Sequence, residues 1–290
     1  MTRVAVVKTY KLYIGGAFAR SESGRSYPVR DAKGAVLARA VLGSRKDVRD
    51  AVRAARAAQP GWAATTAYNR GQVLYRVAEI MEGRRDQFAA EVRAGAGSAR
   101  RARDEVSAAI DRWVYYAGWA DKIAQLAGTV NPVAGPFFAF TVPEPTGVVG
   151  VVCPDEAPLL ALVSRVAPAV VSGNAAVVLV SERWPLAAIT LGEALATSDV
   201  PGGVVNLISG RRAELVVWLA GHHDVDAVDL TGCADEPALR AESERAAAAG
   251  VKRVVVATPT ARAWATPGAQ GAEAVTDLVE MKSVWHPIGT

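Results

Sequence analysis

From Gly147 onward the chain alternates short β-branched runs with helical stretches of small and apolar residues, and this alternation constrains the fold more than any other feature. The first unit reads Val148 to Cys153, a turn from Pro154 through Asp155 and Glu156, a helix around Leu159 to Ser172, and then Gly173-Asn174. Strand, turn and helix in that order open a dinucleotide-type fold. Further strands are expected at Ala175 to Val180, Val204 to Ile208, Ala227 to Leu230 and Arg253 to Ala257. Helices are expected at Pro185 to Thr197, Ala213 to Ala220 and Glu236 to Ala249. Repeated βαβ units imply an α/β fold, a doubly wound parallel sheet with helices on both faces.

Upstream, residues 11 to 44 alternate β-like runs with Gly15-Gly16 and Lys33-Gly34 turns, as a meander does. Ser44 is a candidate N-cap for a helix carrying Val48, Val52, Ala55 and Ala58, which Pro60-Gly61-Trp62 is expected to end. Two amphipathic helices are expected next, over Tyr68 to Ala94 and over Asp104 to Ala127. Phe137 to Pro145 is extended and aromatic-rich. Proline lacks the ladder donor, so this run is excluded from a central strand and reads as an edge arm.

The chain is 290 residues long and 51% hydrophobic, ample for a core. Basic residues exceed acidic ones by only four. The Arg100, Arg101, Arg103 cluster runs straight into Asp104 and Glu105, a solvated helix face rather than a nucleic-acid patch. Two cysteines, Cys153 and Cys233, show no CxxC spacing, which is reduced, cytoplasmic usage. The N-terminus lacks a signal-like apolar core and no stretch reaches membrane-spanning length, so neither membrane nor nucleic acid is an expected partner. The three histidines are not spaced for a triad or a metal, and no metal site is expected.

The wording of these segments, in order, resembles the NAD(P)-dependent aldehyde dehydrogenase superfamily. Leu12-Tyr13-Ile14-Gly15-Gly16, Val114 to Lys122, Glu144 to Gly150, Pro201 to Asn206 and Leu230-Thr231-Gly232 each look like a family motif. The departures from the pattern concern chemistry. Where the family writes Pro-Trp-Asn-Phe-Pro, with the Asn as oxyanion donor, this chain has Asp155 and Glu156. The ribose-binding lysine becomes Leu179, ahead of the retained Ser181 and Glu182. The general-base glutamate falls at Ala257, which cannot move a proton. Cys233, after Gly232, replaces a serine, and Asp235 and Glu236 oppose a thiolate there.

The resemblance therefore implies a degenerate site at Asp155, Glu156, Leu179, Ser181, Glu182, Gly232 and Ala257, with no catalytic residue and NAD(P) held weakly at most. It also implies a domain plan: residues 1–130 and 147–260 as a cofactor-type unit, 131–146 with 272–290 as a β arm, and 261–271 as a linker where the family has its catalytic domain. The segment from Leu278 to Trp285 resembles the family's C-terminal oligomerisation strand. Its two-residue period puts Val279, Met281, Ser283 and Trp285 on one face, to act with Phe138, Phe140 and Val142 of the arm. The closest resemblance is to the truncated, non-catalytic tail half of fused aldehyde dehydrogenases. That implies a pseudoenzyme whose partner is a full-length aldehyde dehydrogenase. The alternatives are an oxidoreductase component with relaxed NAD(P) binding and a structural homodimer.

Overall fold

The computed structural model describes residues 6–256 and 263–289. The meander supplies β1 (Thr9–Tyr10), β2 (Leu12–Ile14), β3 (Ala17–Ala19), β4 (Ser26–Arg30) and β5 (Val36–Val41). Strands β1, β5 and β4 form a small sheet of their own, whereas β2 and β3 are a hairpin that joins the main sheet. The turn between them places Gly16 at φ 84°, where a Cβ would stand 2.9 Å from the Gly202 Cα. Only glycine meets both demands.

Helices α1 (Arg45–Ala64), α2 (Ala67–Gly83), α3 (Arg85–Ala96), α4 (Ala99–Ala117) and α5 (Ile123–Ala127) follow. Ser44 caps α1 as its sequence position suggests. Its hydroxyl accepts from the Asp47 N–H, and the Asp47 carboxylate accepts from the Ser44 N–H at 2.7 Å, a reciprocal capping box. The helix does not stop at Pro60, however. It continues to Ala64 because Trp62 is buried and its indole N–H donates to the Val170 carbonyl at 2.8 Å, which offsets the backbone bond that proline forgoes.

The expected helix over Tyr68 to Ala94 is two helices. Arg84 is non-helical (φ −116°, ψ 16°), and its guanidinium is tied to Gln87 and Glu193, so the chain turns there and brings Phe88 and Val92 into the core. Likewise α4 starts before Asp104, since Gly97 (φ 74°) ends α3 and the Ser98 hydroxyl caps the next helix.

Next come β6 (Thr129–Asn131) and β7 (Phe137–Pro145), then the alternating unit: β8 (Val148–Val152), α6 (Pro158–Val171), β9 (Ala175–Leu179), α7 (Leu186–Ala196), β10 (Val205–Ile208), α8 (Arg212–Gly221), β11 (Ala227–Asp229), α9 (Pro237–Ala248) and β12 (Arg253–Val255). Each lies within two residues of its expected bounds. The main sheet runs β12-β11-β8-β9-β10-β2-β3, with β8 to β12 parallel and β2 antiparallel to β10. Side chains alternate across it. Val149, Val151, Ala176 and Val178 face the layer of α2, α4, α6 and α7, while Val148, Val152, Val177 and Leu179 face α1 and α8. Every residue of α6 is buried, which is why this helix shows no polar face.

Short α10 (Glu273–Thr276) leads to β13 (Val279–Pro287). The arm is a three-stranded antiparallel sheet, β13-β7-β6. It corrects the expectation for Phe137 to Pro145: β7 is the middle strand. Its prolines are tolerated because β6 pairs only with Ala139 to Thr141, so Pro143 and Pro145 lie past its end and keep a neighbour on one side alone. The boundaries shift too, since β6 begins at Thr129 while Val275 and Leu278 are buried in the main core.

The stretch expected as a plain linker is docked where the structure describes it. Trp264 is buried, and the buried guanidinium of Arg112 donates to the carbonyls of Trp264 (2.7 Å) and Ala269 (2.9 Å). Among the described residues no helix is long and apolar enough to cross a membrane.

Candidate functional site: the strand-end crevice and the arm

Strand order reverses at β8, which has β9 on one side and β11 on the other. In doubly wound sheets the crevice beyond the strand ends at such a point is the ligand position. Here a cleft of about 780 Å³ opens beside it, lined among others by Tyr27, Asp155, Glu182, Arg183, Arg212 and Glu236.

Its charges are engaged with one another. Asp155 accepts from the Ser181 hydroxyl at 2.5 Å and pairs with Arg212 at 3.4 Å. The same Arg212 pairs with Glu236 at 2.7 Å and donates to the Cys153 carbonyl at 3.2 Å. Glu182 accepts from Arg211 at 2.5 Å and from the Arg212 backbone N–H at 2.9 Å, so it caps α8. Leu179 is buried in the core behind the cleft, and Ser181 is fully buried. Gly232 sits in a 3₁₀ turn where a Cβ would be 2.6 Å from the carbonyl oxygens of Val152 and Cys153. Ala257 lies outside the described residues.

Asp155 does not cap α6, contrary to a common role for Asp before a helix. Ala157 occupies the cap position in a left-handed conformation (φ 43°) and offers no side-chain bond. The donors are met instead from α4, because Glu105 Oε1 accepts from the N–H groups of Leu159 (2.9 Å) and Leu160 (3.4 Å). Burial pushes the Glu105 carboxyl above the usual range, and those two N–H groups pull it back. Glu156 is exposed, apart from this network.

Arg165 of α6 and Asp229 of β11 form a buried ion pair, with side chains 9% and 1% exposed. Burial works against the Arg165 cation and Asp229 outweighs it. Neither thiol is activated. Burial, reinforced by Asp229, drives Cys153 far above an ordinary thiol. Burial pushes Cys233 up to about 11 despite Arg212, with Glu236 and Asp229 adding to the rise. Both are therefore protonated at neutral pH, the unreactive form. Among the described residues no three His, Cys, Asp or Glu side chains are grouped to hold a metal ion.

Sequence reasoning missed Glu105, Arg112, Arg165, Asp229 and Arg212. Each finds its partner 24 to 157 residues away, and no local pattern signals such pairs.

The residue expected to donate to a ribose is an alkyl group in the core, and carboxylates line the cleft beside arginines they already hold. The α6 N-terminus, a natural anion site, already holds a carboxylate of the chain itself.

The arm is the opposite case, with apolar groups left uncovered. Phe138, Met281 and Trp285 are 45%, 50% and 59% exposed. Phe140 and Val142 are half-buried, and Val279 is buried against its own chain. The Thr141 and Ser283 hydroxyls bond at 2.9 Å and Lys282 pairs with Glu144 at 2.8 Å, fixing the β7–β13 register.

The family profile described as "Aldehyde dehydrogenase family" matches residues 18–266. "Aldehyde dehydrogenase family 2 member B4, mitochondrial" of Arabidopsis thaliana is 35% identical over 232 residues, which is 78% of this chain and 42% of that protein. "Aldehyde dehydrogenase, cytosolic 1" of Elephantulus edwardii is 33% identical over 262 residues, covering 88% of this chain and 51% of that one. In structure, the chain resembles lactaldehyde dehydrogenase from Escherichia coli with a TM-score of 0.79 at 26% identity, covering 86% of this chain and 52% of that one. It also resembles betaine aldehyde dehydrogenase from Staphylococcus aureus, solved in complex with NAD+, with a TM-score of 0.78 at 26% identity, covering 84% and 50%. The chain thus spans about half the length of the relatives it matches. With motifs, doubly wound sheet and arm agreeing, this chain belongs to the aldehyde dehydrogenase family.

Proposed function

We propose that the chain is a non-catalytic aldehyde dehydrogenase-like subunit, a pseudoenzyme of the cytoplasm. It would assemble through its arm with a full-length NAD(P)-dependent aldehyde dehydrogenase and support or regulate it. The observation that carries this reading is the arm. A nine-residue strand ends its sheet, and aromatic side chains beside it stay exposed. Unpaired strand edges and uncovered apolar faces are what strand addition between chains uses. The inactive crevice supports the same reading from the other side, with two protonated thiols and charges spent on one another.

Gel filtration of the purified chain with a full-length aldehyde dehydrogenase from the same genome tests assembly. Co-elution is expected, and independent elution at micromolar concentrations overturns it. The isolated chain should show no aldehyde-dependent NAD(P) reduction. A robust activity that Cys233→Ser abolished would end the pseudoenzyme reading.

Cofactor binding should be weak at most. An ionic hydrogen bond of the kind Leu179 cannot make contributes about 1.5–3 kcal/mol, a tenfold to hundredfold loss or more. Leu179→Lys alone should not restore binding, because the Asp155 carboxylate remains in the cleft. Micromolar NAD+ affinity by calorimetry in the unaltered chain sinks this expectation.

A further inference from the structure

Because β13 ends its sheet, one row of its backbone groups has no strand beside it among the described residues. Two bonds reveal which row. The Thr146 N–H donates to the Leu278 carbonyl at 3.3 Å, and the Ile288 N–H donates to the Pro136 carbonyl at 2.9 Å. Hydrogen-bonded and non-bonded pairs alternate along an antiparallel ladder. Even-numbered residues of β13 therefore bond to β7, and odd-numbered ones turn their N–H and C=O outward. Arg253 agrees, since its Nη1 donates to the carbonyls of Asp277 and Val279 at 2.9 Å each, and both are odd.

Those two bonds also close one end of the edge, and Pro287, without an N–H, closes the other. What stays open is Met281, Ser283 and Trp285, with Ser283 at the midpoint. We propose that this edge pairs with itself: β13 lies antiparallel to β13 of a second copy of the chain, about a two-fold axis through Ser283. The inference rests on the proposed function only in taking the arm as an interface.

The axis is chosen by chemistry. Through Ser283 it sets Met281 opposite Trp285 twice, covering the two large side chains that the monomer leaves 50% and 59% exposed. It also sets Glu280 opposite His286 twice, and a thioether against an aromatic ring is a favourable contact. An axis through Lys282 places lysine opposite lysine. One through Val284 places Lys282 opposite His286 and gives Met281 a proline for a partner. An axis between two residues would pair an outward-facing residue with one bonded to β7. Only the Ser283 axis matches all three open residues, Met281, Ser283 and Trp285, to open residues of the second copy. It makes a closed, isologous contact and one continuous six-stranded sheet.

One edge holds one strand, so self-pairing and addition to a dehydrogenase compete. The chain would be stored as a homodimer and released by its partner.

Single-cysteine variants read the register directly. Side chains opposite one another across antiparallel strands have Cβ atoms about 4.5–5.5 Å apart, close enough for oxidation to join them after small adjustment. The native Cys153 and Cys233 are buried and stay silent. On mild oxidation Ser283→Cys should form a covalent dimer. Met281→Cys and Trp285→Cys should each remain uncrosslinked alone and yield a mixed dimer when combined. Ser283→Cys that stays monomeric, or Met281→Cys and Trp285→Cys that cross-link alone as readily as together, overturns the register. Adding the full-length dehydrogenase before oxidation should suppress the Ser283→Cys product. Co-elution with the dehydrogenase without any self-cross-link would discard self-pairing and leave the proposed function standing. The converse would do the reverse.

Discussion

Arg165→Met should destabilise the chain by about 3–5 kcal/mol, because it strands the Asp229 carboxylate in a site where that side chain is 1% exposed. At the scaling of larger domains this is a fall in Tm on the order of 10 °C. Arg165→Met with Asp229→Asn should recover most of the loss, since replacing both members of a buried pair leaves no uncompensated charge. Asn keeps an acceptor for the Thr231 N–H, which Asp229 Oδ1 now receives at 2.9 Å. Thermal melts of the three variants decide it. A single substitution costing under about 1 kcal/mol would mean that water reaches the pair.

The second large effect is on association. The Ser283 N–H points to the outer edge, so Ser283→Pro removes nothing from the β7 ladder while setting a proline ring where a partner strand must lie. Binding to the dehydrogenase should fall at least about 100-fold, or 2.7 kcal/mol, with the melting curve nearly unmoved. Val284→Pro supplies the contrast. Its N–H bonds to β7, and breaking that ladder should unravel the arm itself. Truncation serves as a further check if it starts at Glu280, because Leu278 and Val279 are buried and belong to the folded body. Undiminished association for Ser283→Pro would move the interface off this edge.

Much of the architecture was legible because it is written in short-range patterns. The parallel strands announce themselves as β-branched runs between glycine, proline and asparagine, and their bounds in the structure differ by a residue or two. The Ser44 cap depends on residues three apart. The alternation along β13 is a two-residue period, and in the register with β7 Met281, Ser283 and Trp285 stand opposite Pro143, Thr141 and Ala139. Errors arose where a local rule met a distant partner. Pro60 ends a helix by propensity, but the Trp62 bond to Val170 carries the helix past it. The prolines of Phe137 to Pro145 forbid a full neighbour on each side, yet β6 is short enough to pair only with the part that lacks them.

By itself, then, the sequence determined the order of elements, the doubly wound sheet and the family, since all of these lie in contiguous motifs and periodicities. The tertiary structure alone decided how the charges are used. Glu105 answers α6 across 54 residues, Arg165 meets Asp229 across 64, and Arg112 pins Trp264 across 152. It also decided which row of β13 faces outward. Whether a carboxylate or a strand edge is free depends on what folds against it, and a linear chain carries no local mark of its distant neighbours.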